Sequence, residues 1–288
     1  MKREPTFLTG VTIFYMRIQH LDVIHPALMP YISYYYLLST DGDVAASTYQ
    51  AFPSPNNPVG FFYDCAICLL PQKAVVTKAT GQGIQEVIVG NAVSPVQVVL
   101  QSGITEFCIV FKPLGINHTQ TIKMGDMLQH NFSATNLFDD LHSAIKFIID
   151  GGDGIALLEK KLVSRLAETE ELNSLRQIIK LMSTDENGAV AEISKKIFLS
   201  YKKIYRMFLA HLGISPVQFR NILKFRNAVT NGVQSVHHKK MSGMAIDSGY
   251  YDQAHLINQF KKIAHHTPKD FLSAITLDSA GKIAWKFE

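Results

Sequence analysis

Cysteine is scarce, with only Cys65, Cys68 and Cys108 in 288 residues. Three thiols are too few, and odd in number, for a disulfide framework, so a reducing compartment is expected. No stretch approaches the roughly 18 consecutive apolar residues of a membrane-spanning helix; the apolar runs are short ones such as Ile109-Val110-Phe111. Nor does Met1-Lys2-Arg3-Glu4-Pro5-Thr6 lead into an uninterrupted hydrophobic region with a small-residue cleavage site, because Arg17 interrupts it. A cytoplasmic protein with no membrane partner is the expectation. A large excess of one charge is also missing. The 28 Lys and Arg against 24 Asp and Glu leave +4, which by itself names no partner. With 47% apolar and 18% charged residues, disorder is excluded for most of the chain, and the length suggests roughly two domains.

Catalytic and metal-binding patterns are equally thin. Cys65-Ala66-Ile67-Cys68 has the spacing of redox and zinc sites and Cys108 could add a third ligand, yet no second C-x-x-C follows. These cysteines are expected to act as small, largely buried hydrophobes. His20, His25, His118 and His130 are scattered, with no His-x-His and no Glu at a nearby fixed spacing, so a cupin-type metal site is not expected. Gly81-Gln82-Gly83 lacks the Lys of a phosphate loop and reads as a turn. The sequence therefore predicts no catalytic residue, no metal and no cofactor.

What is present is unevenly distributed. Residues 1–135 carry a net charge of −1, residues 136–185 carry −3 and residues 186–288 carry +8. From Gly10 to Thr121, short runs rich in β-branched and aromatic residues end near Gly, Pro, Asn or Asp: Thr12–Tyr15, Tyr31–Tyr36, Ala74–Thr77, Glu86–Val89, Val96–Leu100 and Phe107–Phe111. Without long helical patterns between them they predict a barrel or sandwich. After Asn136 the period becomes helical, through Leu137, Leu141, Ile145, Leu158, Leu162, Leu175 and Ile178. The turn-forming Ser183-Thr184-Asp185-Glu186-Asn187-Gly188 is the best domain boundary. The expected fold is α+β, with a β-barrel domain at 1–135, a helical connector at 136–185, an all-α domain at 186–275 and a tail at 276–288.

The basic third holds an internal repeat at an offset of 52 residues. Ser200 falls opposite Asp252, Ile204 opposite Leu256, Phe208 opposite Phe260, Ser215-Pro216 opposite Thr267-Pro268 and Phe219 opposite Phe271. Each copy reads as a capped helix with one apolar face, a break, and a Ser/Thr-Pro that starts another helix. A short helix precedes each capped one, Val190–Ile197 before Ser200 and Met241–Ser248 before Asp252. Ala245 permits a close helix crossing and Gly249 stands where a left-handed residue would turn the chain. Two helix-turn-helix units follow. Their second helices expose Lys202, Lys203, Tyr205 and Arg206 in one copy, and Gln253, His255, Asn258 and Lys262 in the other. Such donors and acceptors fit base edges in the major groove, and nearby lysines neutralise phosphates. The polar His237-His238-Lys239-Lys240 lies in the loop between copies, where solvation competes with phosphate contact.

These residues resemble the AraC/XylS family of bacterial transcriptional activators and repressors, whose DNA-binding domain joins two helix-turn-helix units by a long helix. Leu199-Ser200, Ile204-Tyr205-Arg206-Met207-Phe208, Gly213-Ile214-Ser215-Pro216 and Phe219 resemble its first half, and Lys224-Phe225-Arg226-Asn227-Ala228 its linker helix. Met244 to Leu256, with Phe260-Lys261-Lys262, Thr267-Pro268 and Phe271, resembles the second half. The likeness spans about 190–273. It implies that Lys202, Tyr205 and Arg206 face bases from the first recognition helix, and Gln253, His255 and Asn258 from the second, with Ser200, Lys203, Lys261 and Lys262 on phosphates. Three departures stand out: Ser194 for a close-packing Ala, His265 for the Gly that ends the last recognition helix, and Asn258 for the commoner Arg, which shortens its reach.

His25-Pro26-Ala27-Leu28-Met29-Pro30-Tyr31-Ile32-Ser33-Tyr34-Tyr35 and Phe107-Cys108-Ile109-Val110-Phe111-Lys112-Pro113-Leu114-Gly115 resemble, more loosely, stretches of the cupin-like domains that precede such DNA-binding domains. The implied function is a sequence-specific DNA-binding transcription regulator controlled by its N-terminal domain. The implied partners are double-stranded DNA, a small-molecule effector in that domain, RNA polymerase and a second copy of the chain. The rival reading is a cupin-type ligand-binding protein or metalloenzyme with a basic tail.

Overall fold

The computed structural model describes residues 11–13, 16–40, 46–90, 92–120, 122–127, 131–184, 190–234, 241–274 and 286–287. His130, the central part of the Ser183–Gly188 boundary, the His237–Lys240 loop and most of the 276–288 tail lie outside the described residues. The N-terminal half is built from β1 (Val11–Ile13), β2 (Met16–Leu21), β3 (Ile32–Thr40), β4 (Ala46–Ala51), β5 (Asn57–Tyr63), β6 (Cys65–Leu70), β7 (Lys73–Lys78), β8 (Ile84–Val89), β9 (Val96–Gln101) and β10 (Thr105–Phe111). Then come α1 (Gly115–Thr119), α2 (Met124–Met127), β11 (Phe132–Thr135), α3 (His142–Ile149), α4 (Ile155–Ser164) and α5 (Glu170–Thr184). The C-terminal part has α6 (Val190–Lys196), α7 (Tyr201–Leu212), α8 (Pro216–Gln234), α9 (Met241–Asp247), α10 (Gln253–Ala264), α11 (Pro268–Ala274) and β12 (Lys286–Phe287). Among the described residues no helix is long and apolar enough to cross a membrane.

A seven-stranded sheet of order β1-β2-β3-β10-β5-β8-β11 faces a five-stranded sheet of order β12-β4-β9-β7-β6. All pairings are antiparallel except β7 with β9. Strand β10 is buried on both faces, which is why Phe107–Phe111 reads as a continuous apolar run. By strand alternation Phe107, Ile109 and Phe111 join the core beneath α3 and α4, whereas Cys108 and Val110 point between the sheets. The two loosely matched stretches meet at one turn: Lys112 donates its backbone N–H to the Tyr31 carbonyl at 2.8 Å, and its Nζ donates to the Met29 carbonyl at 2.6 Å.

Strand alternation also separates the C-x-x-C pair. Positions three apart on β6 fall on opposite faces, so Cys65 is buried and Cys68 is exposed, a correction to the expectation that all three thiols are covered. Gly81 and Gly83 both have positive φ in the turn between β7 and β8.

The connector helices divide between two cores. Helices α3 and α4 cover the seven-stranded sheet through Ile145, Ile148, Leu158 and Leu162. Buried Glu159 on α4 accepts the backbone N–H groups of Ile24 and His25, each at 2.8 Å, and the Tyr35 hydroxyl at 3.2 Å. Helix α5 instead contributes Leu172, Leu175, Ile178 and Met182 to the core of the first helix-turn-helix unit, with Ile193, Ile204 and Phe208. The second unit has its own core around Phe225, Leu256, Phe260 and Phe271.

Candidate nucleic-acid interface

Each recognition helix begins at a side-chain cap. Ser200 Oγ accepts from the Lys203 N–H at 3.3 Å and Asp252 Oδ1 from the His255 N–H at 2.7 Å, satisfying one otherwise orphaned donor at each start. Asp252→Ala should therefore cost about 1 kcal/mol of stability, read from the urea midpoint. The helices also end alike, on Gly213 (φ 72°) and on His265 (φ 59°), so the His stands in the left-handed position usually filled by glycine. Gly249, at φ 75°, makes the turn between α9 and α10, where a Cβ would be strained. Ala245, fully buried, accepts the Tyr250 N–H at 2.9 Å and lets α9 and α10 approach.

The helices that follow carry reciprocal caps. Ser215 Oγ accepts from the Gln218 N–H at 3.2 Å while Gln218 Oε1 accepts from the Ser215 N–H at 2.9 Å. Thr267 Oγ1 accepts from the Asp270 N–H at 3.2 Å and donates to Asp270 Oδ2 at 2.6 Å. Pro216 and Pro268 occupy first helical positions, where a missing N–H is harmless.

Burial splits each recognition helix by face. Ile204, Met207, Phe208 and Leu212 of α7 point inward, as do Leu256, Phe260 and Ile263 of α10. Ser200, Lys202, Lys203, Tyr205, Arg206, Gln253, His255, Asn258, Lys261 and Lys262 are all exposed. Among the described residues, Lys202, Lys203, Arg206, Lys261 and Lys262 pair with no carboxylate. The charge is therefore available to a polyanion. His255 is turned partly back: its Nδ1 accepts from the Tyr251 N–H at 3.5 Å and its ring lies edge-on to Tyr250, leaving Nε2 as the outward donor. The linker helix α8 has 19 residues and so spans about 28 Å, holding the two units apart.

The N-terminal half touches both units. Asn117 Nδ2 donates to the His211 carbonyl of α7 at 3.2 Å, and α2 lies across the end of that helix. Phe52, just after β4, joins the core of the second unit, with its ring 4.6 Å from that of Phe271. Arg226 of α8 donates from Nε to the Pro53 carbonyl and from Nη2 to the Phe52 carbonyl, both at 2.6 Å. Burial pushes its pKa down to about 10, so the guanidinium stays charged at neutral pH. At the junction of α1 and α5, His118 Nδ1 stands 2.8 Å from the Ala167 carbonyl and Nε2 2.7 Å from Arg176 Nη2. The neutral tautomer with its proton on Nδ1 satisfies both, and burial lowers the His118 pKa. His20 lies on β2 and His25 caps a 3-10 turn, so neither joins His118; among the described residues no cluster of His, Cys, Asp or Glu could hold a metal.

Sequence reasoning did not single out Phe52, the junction role of Arg226, or Glu106. Arg226 sits inside the linker motif, but only the folded chain places it on a carbonyl pair from another domain. Glu106 precedes the apolar run of β10, an acidic residue in step with the inward-facing Cys108 and Val110.

Two capped helices of one repeat, each with a buried apolar face and an exposed basic or amide face, define a double helix-turn-helix DNA-binding protein. Residues 193–274 match the family model of a helix-turn-helix domain. This domain is of the AraC type, which makes the chain a DNA-binding transcription regulator with an N-terminal domain of its own. No curated protein matches the chain in sequence. Among solved structures, an apo variant of ToxT from Vibrio cholerae is similar over 91% of this chain and 98% of its own, at 12% identity and a TM-score of 0.43. Wild-type ToxT from the same organism with an unsaturated fatty acid bound is similar over 94% and 97%, at 14% identity and a TM-score of 0.43.

Proposed function

We propose that the two helix-turn-helix units read successive major grooves on one face of the duplex, about one helical turn (~34 Å) apart. Lys202, Tyr205 and Arg206 face bases in one sub-site, and Gln253, His255 and Asn258 in the other. Ser200, Lys203, Lys261 and Lys262 contact phosphates. Each Ser200 or Asp252 cap leaves its helix N-terminus facing outward, and the exposed cations beside them, which pair with no carboxylate among the described residues, are the observation that carries this reading. The protein acts by binding rather than catalysis, in the cytoplasm, and RNA polymerase and a second copy of the chain are its protein partners.

Control by residues 1–135, through the connector at 136–185, onto the DNA-binding residues 186–275 is part of the proposal. The Phe52 and Arg226 contacts, together with Asn117 on α7, supply physical routes by which an effector in the sheet-rich domain would bias both units. Such bias requires that the effector bind the two arrangements with different affinity.

The test is selection of bound sequences from a random duplex library by the full chain, at low and at ~150 mM salt, because nonspecific phosphate binding collapses with salt. A motif with two sub-sites about one turn apart is expected. Arg206→Ala should relax one base position by ~1–3 kcal/mol, whereas Lys262→Ala should weaken all sequences and reduce the salt slope by about one. Equal losses on every sequence from both variants would refute base readout.

A further inference from the structure

Between the two sheets lies a cavity of about 510 Å³, within the size range of small-molecule sites and lined mainly by apolar side chains. Among the described residues that line it, the one carboxyl enters from β10, beside the hydroxyls of Tyr36 and Tyr49. Glu106 is buried, its Oε1 accepts the Tyr36 hydroxyl at 3.2 Å, and its Oε2 has no hydrogen-bond partner among the described residues. The opposing strand is shaped around this carboxyl. A Cβ built on Gly60 of β5 would stand 2.6 Å from Glu106 Oε1 and 3.0 Å from the Phe62 ring, so only glycine leaves the acid its place. The cation that shares the cavity lining, Arg226, is committed to the Phe52 and Pro53 carbonyls.

A buried acceptor-donor group with an unmade bond is costly unless something completes it. We propose that Glu106 is the polar recognition residue of this cavity, and that its ligand is a neutral, largely apolar molecule whose carbonyl-type oxygen accepts a hydrogen bond from Oε2. The Tyr36 hydroxyl marks Oε1 as the accepting oxygen, which leaves the carboxyl proton on Oε2, the atom without a partner. Burial pushes the Glu106 pKa up to about 8, so the neutral acid predominates at pH 7. A site that donates a buried hydrogen bond rejects a ligand lacking the acceptor more strongly than an apolar pocket rejects a missing methylene. This assignment deepens the proposal that the N-terminal domain takes an effector and rests on it.

The probe is octan-2-one, titrated calorimetrically into the full chain at pH 7 beside octanoate and octylammonium. Octan-2-one should bind wild type at least tenfold more tightly than it binds Glu106→Leu, and Glu106→Gln, which keeps a donor, should stay within about threefold. Octanoate and octylammonium should bind wild type at least tenfold more weakly than the ketone. Difference infrared spectra should show the protonated-carboxyl C=O band shifting when the ketone binds, with no such band in Glu106→Gln. Failure of octan-2-one to bind, equal affinity for wild type and Glu106→Leu, or octylammonium binding with proton release would each overturn the assignment. So would octanoate binding that survives Glu106→Leu and is lost in Arg226→Ala, which would put the polar end at Arg226. Because calorimetry involves no DNA, ketone binding that leaves operator affinity unchanged would uphold the assignment and refute control by the N-terminal domain.

Discussion

Phe260→Ala should remove about 3–5 kcal/mol from the second helix-turn-helix unit, and Phe208→Ala the same from the first. Both rings are fully buried. Phe260 packs against Phe225 and Phe271, with ring centroids at 4.8 and 5.1 Å, and Phe208 packs edge-on to Phe219 at 5.6 Å. Truncation leaves a void among rigid aromatic neighbours that cannot collapse to fill it, so the cavity term adds to the lost transfer energy. The functional consequence differs between the two. Their cores are separate, one shared with α5 and the other with Phe52, so each variant should erase one sub-site from a footprint on the selected operator and spare the other. Urea unfolding gives the loss in stability, and footprinting shows which half disappears. Loss of the whole footprint in both variants would mean that the units bind only as one body.

Such symmetry was legible because the signals are local. Caps, Ser/Thr-Pro starts and i, i+4, i+8 apolar positions are read within one or two turns of helix, and a second copy 52 residues on repeats them. The left-handed ends followed too, with His265 adopting the conformation expected of it. In the sheets, the apolar or β-branched strands β3, β7, β8, β9 and β10 were visible, with edges extended by a few residues in the fold. Strand β4, Ala46-Ser47-Thr48-Tyr49-Gln50-Ala51, is polar enough to pass for a loop, and β5 contains Pro58 and Gly60, both poor strand formers. The missing side chain of Gly60 leaves room for the Glu106 carboxyl, and that contact joins residues 46 positions apart, beyond any local pattern. The same limit hid the junction. Phe52 looks like an ordinary loop aromatic until α11 supplies the ring beside it, and α5 looks like a linker until its apolar face meets α7.

Between about pH 5 and pH 8, wild type should lose stability by about 1.4 kcal/mol per pH unit relative to Glu106→Gln, the second large effect the structure predicts. The direction follows from where the proton sits. The unfolded chain releases the Glu106 proton near the ordinary glutamate value, whereas burial keeps it on the folded chain up to about pH 8. Across that interval the folded state binds more protons, so the stabilisation is full below about pH 4.5 and is lost as pH rises to about 8. The groups facing Glu106 do not titrate in that window: Tyr36 and Tyr49, from β3 and β4, and the neighbouring Cys108 are all pushed upward by burial. Glu86, whose pKa is also raised by burial, adds a decline of the same sign, and His118, whose pKa is lowered, adds a rise as pH increases toward 6.5. Both are common to the two proteins, so the difference in urea midpoint between wild type and Glu106→Gln at pH 5, 6.5 and 8 isolates the one carboxyl. Glutamine keeps the hydrogen-bonding shape without an ionisation to suppress, and its curve should lie progressively above wild type as the pH rises. Parallel curves would show that Glu106 is ionised in the folded chain, and a cation would then have to be sought beside it in the cavity.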